Sequence, residues 1–154
     1  MDSYPRALIL AVAMTACLYG CPPPPPDDGN DNTTGDTISI IGNWVSQPPY
    51  NAFSAPGVLT VSNQEMLWEW DDESLGHVRA EIVQFDNENR TAIVRVTEHS
   101  TAPEQIGLFI KIVWTFLDAD SMDMDVYSLQ ATEADALSDT IVEFGTWHYV
   151  SDAL

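Results

Sequence analysis

EMLWEW, Glu65 to Trp70, decides the fold class. Met66, Trp68 and Trp70 alternate with Glu65 and Glu69. A period of two sends successive side chains to opposite faces, so the aromatic face is for burial and the acidic face for water. MDMDVYSL, Met122 to Leu129, repeats the pattern, with Met122, Met124 and Val126 inward and Asp123, Asp125 and Tyr127 outward.

Strand signals extend on both sides. Ile40–Ser46, Val58–Ser62, His77–Phe85, Thr91–Glu98, Leu108–Leu117 and Ile141–Val150 complete eight candidate strands. DNEN at Asp86–Asn89 has turn composition and predicts a hairpin. DADS, Asp118–Ser121, joins the next pair. Helical material is scarce. Thr132–Leu137 is the best candidate, with Thr132 and Asp135 in a capping-box pattern, and Pro103-Glu104 can start a single turn before Gly107. Many short strands around one core predict an all-β domain over 38–154, a small antiparallel meander barrel of about eight strands with one short helix. Closing the meander removes exposed edges.

The N-terminal part reads differently. Ala7 to Leu18 is an uncharged run of 12 residues. A spanning helix needs about 20, whereas a secretory apolar region needs about 7–15. Leu18-Tyr19-Gly20-Cys21 resembles a bacterial lipobox, and Met14-Thr15-Ala16-Cys17 is a poorer match to it. The resemblance implies a signal peptide over 1–20, lipidation of Cys21 and a protein held in the cell envelope by an N-terminal lipid, at the outer membrane or cell surface in preference to the inner membrane. Pro22–Pro26 predicts a stiff polyproline rod. DDGNDNTTGD, Asp27–Asp36, has nothing apolar to bury, so 21–37 is expected to be a disordered, acidic tether. The two cysteines, Cys17 and Cys21, both precede the domain, which must therefore hold together without a disulfide.

Net charge is −19 over the chain, and loss of Asp2 and Arg6 with the signal leaves it unchanged. Nucleic acids and anionic membrane surfaces are poor partners for such a field. His77, His99 and His148 lack zinc-site spacing, and no G-x-S-x-G elbow or Cys–His pair is available. No catalytic residues, enzymatic activity or cofactor are expected. Asp118, Asp120, Asp123 and Asp125 are the candidate cation ligands, suited to calcium by their oxygen donors, although the EF-hand glycine is missing and Leu129 stands where its bidentate Glu belongs. A solvated hairpin tip is the plainer reading. The five tryptophans, with Trp147 the last, can line a pocket for an apolar or sugar ligand, and Trp44, Trp68, Trp70 and Trp114 are the candidate binding residues; such residues more often fill cores.

Gly42-Asn43-Trp44, in the first strand, resembles the lipocalin and avidin group of small barrels. The resemblance implies that Trp44 closes the barrel floor and that ligands enter at the other end. Lipocalins set an arginine from a late strand on that Trp; here none follows Arg95, and the avidin biotin-binding residues cannot be placed. IVQFDNENRTAIV, FIKIVWTFLDAD and TEADAL are similar to an uncharacterised group of small bacterial lipoproteins, many with a cysteine pair in the last third that Ser128 and its surroundings lack. The expected function is a lipid-anchored module binding a small ligand or an envelope protein. The alternatives are a structural or partner-binding lipoprotein without a cavity and, more remotely, a hydrolase.

Cys21→Ser should release the protein from the membrane fraction or block its processing. Mature, unacylated protein still bound to membranes would refute the anchor.

Overall fold

The computed structural model describes residues 39–152. The expected signal segment, Cys21 and linker lie outside the described residues.

Eight strands follow one another around a closed barrel: β1 (Gly42–Gln47), β2 (Gly57–Val61), β3 (Glu65–Trp70), β4 (His77–Asp86), β5 (Thr91–His99), β6 (Phe109–Phe116), β7 (Ser121–Val126) and β8 (Gly145–Ser151). Each pairs antiparallel with the next. The ring closes where β8 returns to β1, from Trp44 opposite Ser151 to Gln47 opposite His148. Alternation works as EMLWEW and MDMDVYSL predict: Met66, Trp68, Met122, Met124 and Val126 are buried in the interior with Leu59, Val61, Val94, Ile112, Trp114 and Tyr149.

The two ends of the barrel differ because the connections alternate between short and long. Residues 62–64, 87–90 and 117–120 turn tightly at one end. Ser62 Oγ accepts from the Glu65 amide at 3.0 Å, Asp86 Oδ1 from the Asn89 amide at 2.9 Å and Asp118 Oδ1 from the Asp120 amide at 2.9 Å. Each short polar side chain closes its own turn. Residues 48–56, 71–76, 100–108 and 127–144 form the long loops at the other end.

Trp44 lies at the short-turn end, 4% exposed. Its indole N–H donates to the Ile40 carbonyl at 2.7 Å, and Ile40 is itself fully buried. Phe116 packs on Trp44 with ring centroids 6.0 Å apart, and the Arg90 guanidinium sits 5.6 Å from the Phe116 centroid. Arg90, from the β4–β5 turn rather than from a late strand, thus covers Phe116 beside Trp44. Arg90 takes a left-handed φ of 53°, and its carbonyl accepts from the Trp114 amide at 3.0 Å. Trp114 stacks on Phe85 at 5.4 Å at the same end.

Three expectations shift. β1 begins at Gly42 rather than Ile40, because Ile40 folds back to meet Trp44. β7 stops at Val126 and β8 starts at Gly145, so the apolar run beginning at Ile141 is not yet strand. Ile141 is 63% exposed, in the loop. Ile93 points away from the barrel interior yet is 1% exposed. Helix α1 (Glu133–Ser138), which packs on β5 and β6, covers it. Thr132 caps α1 by accepting from the Asp135 amide at 3.2 Å. The single turn falls at Pro103–Gln105.

Trp44→Ala should cost about 3–5 kcal/mol, the usual range for removing a buried aromatic. Chemical denaturation reads this directly, and a midpoint close to wild type would show that the floor does not depend on Trp44.

Candidate functional site

At the long-loop end the interior is not filled. A cavity of about 250 Å³ lies there. Its deep wall is Trp68, Val78, Val96, Ile110, Val126 and Trp147 from the strands; Trp70, His99, Phe53, Gln105 and Phe144 stand around its mouth. The indoles meet at steep angles: Trp147 is 6.5 Å from Trp68 at 79° and 6.4 Å from Trp70 at 62°. Edge-to-face packing of this kind is favoured by the ring quadrupoles, and it leaves flat faces available at the surface of the group. None of the lining residues carries a carboxylate, guanidinium or ammonium.

The mouth is built by loops tied to the frame. Asn51 is the main tie of the β1–β2 loop. Its Nδ2 donates to the carbonyls of Phe144 and Thr146, each at 3.2 Å, and its Oδ1 accepts from the amides of Phe53 at 2.8 Å and Ser54 at 3.0 Å. Phe53 is thereby held edge-on to Phe144, with centroids 5.2 Å apart. The close approach requires a glycine at 145. A Cβ there would sit 2.6 Å from Asn51 Nδ2, and its φ of +79° is one that side chains resist. Ser46 adds a second tie through its hydroxyl, 2.8 Å from the Ala55 carbonyl.

The polar groups at the site are few and specific. His99 Nδ1 accepts from the backbone amides of Ala102 at 3.1 Å and Thr101 at 3.4 Å. An Nδ1 that accepts carries no proton, so the neutral ring bears its hydrogen on Nε2. Burial pushes the His99 ring below its ordinary value; the charge of Glu104 pulls it up and that of His77 pushes it down. Trp147 spends its N–H on the Phe144 carbonyl at 2.8 Å, whereas the buried Trp68 N–H lies beside the Tyr149 phenol. Burial also pushes the Tyr149 phenol far above its usual range.

The longest loop, 127–144, is organised by Asp139, which is 8% exposed. Oδ2 accepts from the Ser128 hydroxyl, from the Ser128 amide at 3.1 Å and from Gln130 Nε2 at 3.3 Å, while Oδ1 accepts from the Ile141 amide at 2.9 Å. The Lys111 ammonium donates to the Asp139 carbonyl and lies 4.1 Å from the Tyr127 ring centroid. Desolvation pushes the Asp139 carboxyl up, but the bonds from Ser128, Ile141 and Gln130 outweigh it and hold the group below the ordinary carboxylate value. Ser128, noted in the sequence for the absence of a cysteine, is one end of this knot.

The structure divides the residues singled out in the sequence. Trp68 and Trp70 line the cavity, but Trp44 and Trp114 lie at the opposite end and belong to the floor. The four aspartates do not converge. Asp118 closes its turn, the Asp120 carbonyl receives the Ser151 amide at 2.7 Å, Asp123 bonds His148 and Asp125 accepts from Thr146. Among the described residues no group of three or more His, Cys, Asp or Glu is placed to hold a metal ion. The His148–Asp123 pair lies on the outer wall, and neither residue lines the cavity. Trp147 is grouped by sequence with the other tryptophans as able to line a pocket, whereas Phe53, Phe144, His99 and Gln105 are not singled out as binding residues by sequence. Comparison with protein-family models, curated proteins and solved structures finds no match to this chain.

Asp139→Asn should destabilise the fold by about 2 kcal/mol at neutral pH, the scale of hydrogen bonds to a buried charged group. The folded carboxyl titrates below its ordinary value, so its contribution is complete above that value and is lost as pH falls through the folded one. The gap between wild type and Asp139→Asn, measured by urea unfolding, should hold from neutrality to about pH 4 and shrink on further acidification. A gap independent of pH would show that the charge is not what ties the loop.

Proposed function

We propose that this protein is a lipid-anchored envelope module whose barrel binds a small, mainly apolar ligand at its long-loop end. One observation carries the reading: the aromatic cavity of about 250 Å³, at the end opposite the Trp44 floor. Concave, mostly apolar sites with a few placed polar groups are the usual form of small-molecule sites. Binding rather than catalysis is favoured by the chemistry of the lining. Its polar groups are an imidazole, an amide and an indole N–H, with no carboxylate, hydroxyl or thiol to act beside the imidazole.

A second reading, docking of a partner protein, draws on the rim. Phe53, Leu75, Ile106 and Ile141 are exposed, one on each long loop. Exposed apolar groups gathered at one end mark interaction surfaces when they form a patch. The rim and the cavity can serve together, as when a ligand is received from or handed to another molecule.

Val96→Phe separates the readings. The added ring fills the cavity and leaves the rim alone. Naphthalene, titrated calorimetrically into the full-length, unacylated chain, should bind wild type and fail to bind Val96→Phe, with the melting temperature of the variant kept or raised. Equal binding to both would place the probe outside the cavity and remove the basis for this function.

A further inference from the structure

The cavity's dimensions, walls and donors specify a ligand more narrowly, given that it is a binding site at all. We propose that it holds a flat, uncharged molecule of about two fused rings with a hydrogen-bond acceptor, and that this acceptor is met by His99 Nε2–H.

Size comes first. A cavity of about 150 Å³ lined by apolar side chains accepts benzene. One of about 250 Å³ has room for a second ring. Shape follows from the walls. Trp68, Trp70 and Trp147 present indoles at steep mutual angles, and Phe53 meets Phe144 edge to face across the mouth. Planar ligands gain from stacking and edge contacts with such walls beyond the area they bury.

Charge is excluded from both sides. An anion entering the cavity would lose water and gain no cation there. Arg79 and Arg95 are paired with Glu65, Glu98 and Glu81 on the outer wall, Arg90 covers Phe116, and Lys111 is committed to Asp139 and Tyr127. The net charge of −19 repels anions before contact. A cation would be drawn to the surface by that field, but no lining carboxylate receives it inside.

The polar anchor is set by the backbone. Because Nδ1 of His99 accepts the amides of Thr101 and Ala102, the ring cannot turn over without losing both bonds. Nε2–H is therefore a donor of fixed identity on a cavity-lining residue. Protonation would require those two bonds to break, in agreement with the lowered basicity of the ring. The Trp68 N–H is buried beside the Tyr149 phenol in the core, so the ligand's acceptor is assigned to His99 Nε2–H.

Naphthalene, quinoline and 2-naphthoate test this, since they share a two-ring frame and differ in acceptor and charge. Calorimetry at neutral pH on the full-length, unacylated chain should show quinoline binding about tenfold tighter than naphthalene, and no measurable binding of 2-naphthoate. His99→Asn keeps an acceptor near the Nδ1 position and removes the Nε2–H; it should retain the melting temperature and bring quinoline down to the affinity of naphthalene. His99→Gln, whose amide reaches the Nε2 position, should restore part of the preference. Equal affinity of quinoline and naphthalene for wild type would overturn the polar anchor and leave the apolar cavity standing. A preference that survives His99→Asn but vanishes in Gln105→Leu would overturn the assignment to His99. Tightest binding of 2-naphthoate would overturn the exclusion of charge. Failure of all three probes to bind would remove the binding function and this inference together.

Discussion

The pairing of β8 with β1 is the constraint on which the rest of the structure depends. Both cysteines precede the described residues, so no disulfide joins these strands. Four residue pairs close the ring, from Trp44 opposite Ser151 to Gln47 opposite His148. Without them, β1 and β8 would both be open edges with unmet amides and carbonyls, and the interior would face solvent along that seam. With them, inward-facing residues of every strand share one core, and the stability of each depends on all the others. The Asp152 amide on the Asn43 carbonyl, at 2.9 Å, extends the seam at the floor.

Closure also creates the difference between the ends. A meander alternates its connections between the two rims, so a run of short turns at one end leaves all the long loops at the other. The short-turn end is filled by large side chains: Trp44, Phe116, Trp114 and Phe85, with Arg90 over Phe116. The long-loop end is held open by loops tied through Asn51, His99 and Asp139 to the backbone, rather than by side chains packed into the lumen. The cavity is therefore a consequence of how those loops are fastened. Each tie uses a polar side chain to satisfy irregular backbone, which buried loops require.

Electrostatics divides along the same wall. The outer faces carry the acids, with the Arg79–Glu65 ion pair and the His77–Glu98 hydrogen bond, both 2.8 Å long, bridging neighbouring strands. Exposed pairs of this kind contribute little to stability. Their consequence is that the strong bases of the barrel are engaged, while many acids are not. The lumen is neutral and aromatic inside a strongly negative shell.

Local sequence determined the strands, their facing and most of the turns. EMLWEW and MDMDVYSL place alternate side chains inward because a strand has a period of two, wherever it sits. Asp86–Asn89 turns the chain through its own side chains, and Thr132 caps α1 for the same local reason. The candidate site was only half legible. Alternation tells which way Trp44, Trp68, Trp70 and Trp114 point, but not their height along the barrel axis, which depends on strand register. Tertiary structure alone put Trp68 and Trp70 on the cavity and Trp44 and Trp114 in the floor. It alone brought Arg90 from a turn onto Phe116, covered Ile93 with α1 and left Ile141 exposed. Phe53 and Phe144 gained their roles from each other and from Asn51, across contacts so distant along the chain that they leave no periodicity in the sequence; His99 and Asp139 bond within or next to their own loops, where irregular backbone has no period to read.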